Sequence, residues 1–295
     1  MLEMKLRIAG MAVGLALAGG TPALAGVSIV AGENFYGDVA GQIAGPSAQV
    51  TSILSNPDTD PHLFEADPAT ARAIARADIV IENGADYDPW MEKLLGAAGG
   101  HTRHVITASV LTHRAVGANP HLWWDPQTMP AVARAITNAL IATDPAGRAG
   151  YEQRLGVFLD SLTPIHDKIA ALRKLYAGEP VTATEPVFGY MATAVGLTMR
   201  NERFQWAVMN DTEPSAADTA AYEEDLTGHH VRLFIYNSQA SDSAADRLMG
   251  IARKAGVPVI GVAETEPPSL TFQTWQSSTL DKLGAALAQP MKATP

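Results

Sequence analysis

The chain has 295 residues, with 31 acidic and 21 basic side chains and a formal net charge of −10 at pH 7. This acidic balance argues against a protein that binds nucleic acid or anionic membrane surfaces. No cysteine occurs, which excludes disulfides and a lipid-modified N-terminal cysteine.

The first 25 residues have the pattern of a secretory signal peptide. Two basic residues precede a mostly apolar stretch over Ile8–Ala18, and Ala23-Leu24-Ala25 matches a small-x-small cleavage signal. A membrane anchor is the alternative, but the apolar stretch is too short to span a bilayer comfortably. We therefore expect export to the periplasm, with a mature chain that begins near Gly26 and is long enough for two domains.

Strand and helix signals alternate after this segment, which predicts a parallel sheet with helices on both faces. The predicted strands are Val27–Ala31, Ala48–Leu54, Ile79–Gly84 and His104–Thr107. The predicted helices are Asn34–Ala44, Pro68–Ala77, Trp90–Ala98 and a segment within Asp125–Asp144. Asp67 is a suitable N-cap for the second helix. Together these elements predict an N-terminal α/β lobe over residues 26–145.

The alternation then stops, because apolar residues recur at helical spacing over residues 146–176. We predict one long linking helix over residues 146–178, with Pro164 as a possible kink. The alternation then resumes. Strands are predicted at Val181–Ala183, Val231–Tyr236 and Val257–Val262, and helices at Val187–Val195, Ser243–Ala255 and Thr271–Leu287. The C-terminal lobe is therefore predicted over residues 179–295.

Two histidines lie in nearly matching settings, Asp60-Pro61-His62 and Asn119-Pro120-His121. Proline fixes its own φ and restricts the residue before it, so each histidine should lie on a stiff, extended loop. Two imidazoles held in this way are half of a first-row transition-metal site. Glu185 and Glu264 each follow a predicted strand of the second lobe. Because ligands bind beyond the carboxyl ends of parallel strands, the four residues could meet in a cleft between the lobes.

Each candidate also has a simpler interpretation. A single histidine is usually an ordinary polar residue, and Glu185 could serve only as a negative charge at a helix N-terminus. Of Glu264 and Glu266, one is expected to face solvent. A secreted zinc hydrolase would need an open coordination position and a general base, and the sequence has no His-Glu-x-x-His pattern.

Several segments resemble the substrate-binding proteins of metal-specific ABC importers, known as cluster A-I or cluster 9. The resemblance covers nearly the whole mature chain. The segments that carry it, in chain order, are Glu33–Asp38, Asp60-Pro61-His62 with Phe64-Glu65, Ile81–Gly84, Tyr87–Trp90, Asn119–Pro126, Glu185–Tyr190, Tyr236–Gln239 and Glu264–Pro267.

This resemblance implies two Rossmann-like lobes joined by a long linking helix, with one divalent metal ion in the cleft. Carried over by motif, His62 and His121 are the two N-lobe ligands and Glu185 is the third. Glu264 falls near the fourth position, with Glu266 as the alternative. The implied partner is an ABC permease in the inner membrane, with a periplasmic metallochaperone as a further partner. A monomer without enzymatic activity is expected, and a surface adhesin is disfavoured by the simple signal peptide.

The metal follows from the donor set. The third ligand is His in most zinc-binding relatives and Glu in many manganese-binding ones, and this chain lacks the His-rich loop of many zinc members. Two imidazoles and two carboxylates nevertheless balance a divalent ion, and such a set binds Zn²⁺ more tightly than Mn²⁺. We therefore predict Zn²⁺, with Mn²⁺ as the alternative. Asp125, Glu82 and backbone carbonyls near His62 are candidates to orient the ligating histidines.

Overall fold

The computed structural model describes residues 26–57, 61, 64–99, 102–240 and 243–290. The predicted signal peptide at residues 1–25 lies outside them. Two α/β lobes are present, as predicted, and each is built on a four-stranded parallel sheet. Across the described residues, no helix combines the length and apolar character needed to cross a membrane.

The strands of the N-terminal lobe are β1 Val27–Glu33, β2 Ala48–Leu54, β3 Ile79–Glu82 and β4 His104–Thr107. Its helices are α1 Asn34–Ala44, α2 Pro68–Arg76, α3 Pro89–Ala97, α4 Ala108–Leu111 and α5 Thr128–Thr143. The sheet has the order β2-β1-β3-β4, in which every pairing is parallel. Helices cover the sheet, so the central strand β3 is buried along its whole length. Asp67 caps α2 as predicted, because its side chain accepts a hydrogen bond from the Thr70 N–H at 2.7 Å.

The predicted single linking helix is two helices, α6 Arg148–Ser161 and α7 Thr163–Tyr176, separated at Leu162. Pro164 lies in the first turn of α7, where its missing N–H costs nothing. The sequence suggested a kink at Pro164. The structure instead has a break between two helices at Leu162, two residues before this proline. The prediction of one continuous helix was wrong, because a proline cannot donate the hydrogen bond that would continue the preceding turn.

The strands of the C-terminal lobe are β5 Pro180–Ala183, β6 Thr198–Arg200, β7 Leu233–Asn237 and β8 Val259–Val262. Its helices are α8 Gly189–Val195, α9 Glu202–Met209, α10 Ala216–Thr227, α11 Ser243–Ala255 and α12 Phe272–Leu287. The sheet order β6-β5-β7-β8 repeats the topology of the first lobe. The sequence analysis missed β6, α9 and α10, which lie between the first predicted helix of this lobe and the strand β7.

Buried aromatic rings join the two lobes beneath the cleft. Trp124 of the N-terminal lobe packs edge-on against Phe188 and Trp275, with ring centroids 4.9 and 5.0 Å apart. Phe35 at the start of α1 packs on Trp123 at 4.7 Å. Such rings bury large apolar areas and favour these tilted and edge-on contacts. These contacts pack the two lobes together beneath the cleft, with the strand ends of the lobes facing each other above them.

Candidate metal centre

His121 is fully buried and has a defined tautomer. Its backbone N–H donates to Oδ1 of Asn119 at 3.1 Å, and its ring Nδ1 lies 2.7 Å from the same oxygen. Because an amide oxygen only accepts hydrogen bonds, Nδ1 carries the ring proton. In the neutral imidazole the Nε2 lone pair is then the one that can bind a metal ion.

Asn119 also connects the two lobes. Its Nδ2 donates to the carbonyl of Pro186 at 2.7 Å, and its own carbonyl accepts from the Tyr190 hydroxyl at 2.7 Å. Pro186 directly follows Glu185 in the C-terminal lobe. One side chain therefore orients His121 and fixes the loop that carries Glu185.

At His121 the orienting residue differs from the two acids that the sequence analysis suggested. Asp125 accepts hydrogen bonds from Arg114 at 3.2 Å and from the Gln127 N–H at 3.0 Å. Glu82 accepts from the Thr107 hydroxyl at 2.6 Å. At Nδ1 of His121 the orienting role belongs to Asn119, two residues away, because its short side chain folds back onto its own loop.

Glu264 meets His121 across the cleft. Its Oε2 lies 3.4 Å from Nε2 of His121, and both side chains are completely buried. Tyr87 donates to the same Oε2 at 2.9 Å, and burial followed by the Glu264 charge raises the pKa of Tyr87 well above its usual value. A tetrahedral ion with donor distances of about 2.0–2.2 Å places two donors roughly 3.4 Å apart, so these two atoms fit one coordination sphere.

Glu185 is tied to Glu264 through Asn237 at the end of β7. The Asn237 amide nitrogen lies 2.6 Å from Oε1 of Glu264, and 3.4 and 3.3 Å from the two carboxylate oxygens of Glu185. Glu185 is 5% exposed. Asn237 therefore holds two carboxylates of the C-terminal lobe opposite the imidazole of the N-terminal lobe. The sequence analysis did not assign Asn237, although its place at the carboxyl end of a buried strand was a usable signal.

His62, the remaining predicted ligand, lies outside the described residues. The neighbouring Phe64 is described, and its ring packs against Trp90 with centroids 4.7 Å apart. Among the described residues there is no group of three or more His, Cys, Asp or Glu side chains spaced to hold a metal ion. What the structure does show is a pairwise contact between His121 and Glu264, and a link from Glu264 to Glu185 through Asn237.

Glu266, the alternative fourth ligand, is 5% exposed and Glu264 is 1% exposed, so the expectation that one of them faces solvent was wrong. The backbone of Glu266 contacts Asn34, the first residue of α1. The Asn34 side chain donates to the Glu266 carbonyl at 2.7 Å and accepts from its N–H at 3.0 Å. Burial, followed by the charge of Asp38, raises the pKa of the Glu266 carboxyl to about 9. These contacts join the lobes beside the metal centre, and the geometry favours Glu264 as the metal-facing carboxylate.

The other polar candidates lie away from this locus. Asp225 is bound by Arg200 through two contacts of 2.7 Å and by Asn201 at 2.9 Å, and this network lowers the pKa of the Asp225 carboxyl. His230 lies 3.3 Å from the same carboxylate, and His229 contacts the carbonyl of Ala255. Asp225 is therefore part of a structural ion pair of the C-terminal lobe.

Each lobe has a parallel sheet, and a buried imidazole of one lobe lies opposite two buried carboxylates of the other. These features define a two-lobed, metal-binding substrate-binding protein. The chain belongs to the zinc-uptake complex component A periplasmic family, whose model matches residues 29–286. The family comprises substrate-binding proteins of metal ABC importers and not enzymes, so the zinc hydrolase alternative was wrong.

Individual relatives agree with this assignment. A Thermotoga maritima protein described as a putative metal-binding protein is 29% identical over 176 residues, which are 59% of this chain and 63% of the relative. The metal ABC transporter substrate-binding lipoprotein FimA of Streptococcus parasanguinis is 20% identical over 89% of this chain and 90% of its own length.

Two solved structures show the same fold. The periplasmic zinc-binding protein TroA from Treponema pallidum superposes with a TM-score of 0.72 at 18% identity, covering 90% of this chain and all of TroA. A Mn-bound mutant of a periplasmic metal-binding protein from Candidatus Liberibacter asiaticus gives 0.70 at 20% identity, covering 88% of this chain and 99% of its own.

Proposed function

We propose that this protein captures Zn²⁺ in the cleft between its lobes and delivers it to an ABC-type permease in the inner membrane. The proposed ligands are His62, His121, Glu185 and Glu264. The observation that carries the proposal is the buried approach of His121 Nε2 to Glu264 Oε2 at 3.4 Å, with the proton of His121 fixed on Nδ1. Export to the periplasm and action as a monomer belong to the same proposal, as does a metallochaperone as a further partner.

Mn²⁺ is the second candidate cargo. Carboxylate oxygens suit Mn²⁺, and a structural neighbour named above is Mn-bound. The nitrogen donor of His121, with a second expected from His62, favours Zn²⁺ when both ions have equal access. Direct competition between the two ions on stripped protein, followed by metal analysis, decides between them. Excess Mn²⁺ that displaced equimolar zinc would reverse the assignment.

The site is closed to solvent in this conformation. His121 and Glu264 are 0% and 1% exposed, and the Glu185 side chain beside them is nearly as buried. An ion cannot reach these donors without separation of the lobes. We therefore propose that capture and release both require the Asn34 and Asn119 contacts between the lobes to break.

We expect one divalent ion per chain, because the four proposed ligands would together form one coordination sphere. Bound metal should also stabilise the protein by mass action, by about 2.7 kcal/mol at a hundredfold excess over Kd. Titration of stripped protein by calorimetry, together with a thermal melt, tests both. Two equal tight sites, or no thermal shift at saturating zinc, would contradict the proposal of a single site.

Replacing Asn119 by Ala should weaken zinc binding by about 10–100-fold, the usual cost of losing a hydrogen-bond partner of a ligating histidine. The change frees the His121 ring to rotate and removes one contact between the lobes. Asn210→Ala is a matched control, because Asn210 is exposed just beyond the end of α9 and its side chain donates to the carbonyl of Trp206 in the same helix. Equal zinc affinity in the Asn119 variant and the control would show that Asn119 does not orient the ligand.

A further inference from the structure

A groove separate from the metal centre lies where the N-terminal lobe, the linking helix α7 and the C-terminal lobe meet. Its volume is about 420 Å³, and small-molecule sites in proteins typically have volumes of about 300–1,000 Å³. None of the described metal-ligand candidates lines it. Its lining includes Arg114 and Asp125 of the N-terminal lobe, Ile169 and Arg173 of α7, and Tyr190 and Ala194 of α8.

The groove has an excess of positive charge, although the whole chain has a formal net charge of −10. Two arginines and one aspartate line it. Arg114 Nη2 lies 3.2 Å from Oδ2 of Asp125, so these two charges are paired. Among the described residues, none forms a hydrogen bond or an ion pair with the guanidinium of Arg173. The groove therefore presents an unmatched guanidinium, which suits an anionic ligand.

Arg114 is held in place before any ligand binds. Its Cζ lies 4.8 Å from the centre of the Tyr190 ring, and this cation–π contact acts together with the Asp125 pair. Ile169 and Ala194 contribute apolar wall on either side. A guanidinium matches the planar shape of a carboxylate, and apolar walls suit a carbon skeleton better than a bare inorganic anion. The groove therefore fits a small organic carboxylate.

Hydrogen bonds connect this groove to the metal centre. The Tyr190 hydroxyl donates to the carbonyl of Asn119 at 2.7 Å, and the side-chain oxygen of Asn119 lies 2.7 Å from Nδ1 of His121. The walls of the groove also come from both lobes, so the groove has this shape only while the lobes are together. A ligand that fills it therefore favours the conformation in which the metal centre is closed to solvent.

We propose that this groove is a second ligand site, which binds a small organic carboxylate and favours the closed conformation of the lobes. The carboxylate group pairs with Arg173, and the carbon skeleton packs against Ile169 and Tyr190. Because metal in the cleft favours the same conformation, each ligand raises the affinity for the other. This coupling rests on the proposed function, whereas carboxylate binding by the metal-free protein does not.

Sodium benzoate is the probe for the metal-free full chain, and benzamide is its neutral counterpart of nearly the same shape. Nuclear magnetic resonance titration, observed on the small molecule, measures both dissociation constants. We expect a constant of about 1 mM for benzoate, and at least about fivefold weaker binding for benzamide and for inorganic phosphate.

Arg173→Gln removes the unmatched charge and should weaken benzoate binding by about fivefold, a moderate loss because this side chain is exposed. Lys174→Gln is the matched control. It removes the same charge from the next exposed position of α7, which does not line the groove, and should leave the constant within about twofold of the wild type. Thermal melts of both metal-free variants establish that they fold.

Saturation with zinc should tighten benzoate binding to the wild type by at least about fivefold. Equal constants for benzoate and benzamide, tighter binding of phosphate, or equal losses in the two variants would overturn the carboxylate site. Equal benzoate constants with and without bound zinc would overturn its coupling to lobe closure. Protein that bound benzoate but no zinc would instead refute the proposed function and leave the carboxylate site standing.

Discussion

Replacing His121 by Ala should lower zinc affinity by at least about a hundredfold. Zinc sites of four ligands are worth roughly 10–16 kcal/mol, so each ligand contributes about 3 kcal/mol, and about 1.4 kcal/mol corresponds to a tenfold change in Kd. His121 is the nitrogen donor whose position and tautomer are fixed by Asn119 at 2.7 Å. No other described side chain provides a nitrogen donor opposite Glu264 that could replace Nε2 of His121 as a metal ligand.

Competition with a chelator of known zinc affinity measures this loss. The matched control is His166→Ala, which removes an exposed imidazole from the linking helix α7. Because His121 packs edge-on against Trp123 at 5.3 Å, the variant also leaves a small cavity, so its metal-free melting temperature must be recorded. Equal zinc affinity in the His121 and His166 variants would place the site elsewhere.

Much of the fold could be predicted because local signals were strong. The strand β3 is an unbroken apolar run between turn residues, and α2 begins with a capped Asp67-Pro68 pair. The missed strand β6 has three residues and is not a buried apolar run, so it has no periodicity to detect. The missed helix α10 is rich in acids and buries three side chains, so its pattern resembles a solvated segment.

The metal centre was predictable to a lesser degree. His121, Glu185 and Glu264 could be chosen because they follow prolines or strand ends, and the structure shows contact between His121 and Glu264. His62 was chosen in the same way but lies outside the described residues, so the full ligand set stays a prediction. Their polar partners could not be chosen in the same way. Asn119 orients His121 from two residues away, but its contact with Pro186 spans 67 residues, and the contact of Asn237 with Glu185 spans 52. Such contacts depend on the packing of the lobes and leave no local pattern.

Replacing Glu264 by Gln should weaken zinc binding strongly, whereas replacing Glu266 by Gln should leave it within about threefold of the wild type. Glu264→Gln keeps the shape of the side chain but removes a charge that faces His121 and that Tyr87 and Asn237 already hold in place. Loss of one of four zinc ligands costs about 3 kcal/mol, which corresponds to roughly a hundredfold in Kd.

Glu266→Gln should show its effect in stability instead. The folded-state pKa of Glu266, about 9, is higher than that of an unfolded glutamate, so the folded protein loses stability as pH rises from the unfolded pKa toward 9. Glutamine removes this penalty, and the metal-free variant should melt higher than the wild type at about pH 8 and alike at about pH 4. Melts at both values, with zinc titrations at neutral pH, compare the two substitutions. If Glu266→Gln lost zinc and Glu264→Gln kept it, the fourth ligand would be Glu266, and the contact between His121 and Glu264 would be only a closure of the lobes.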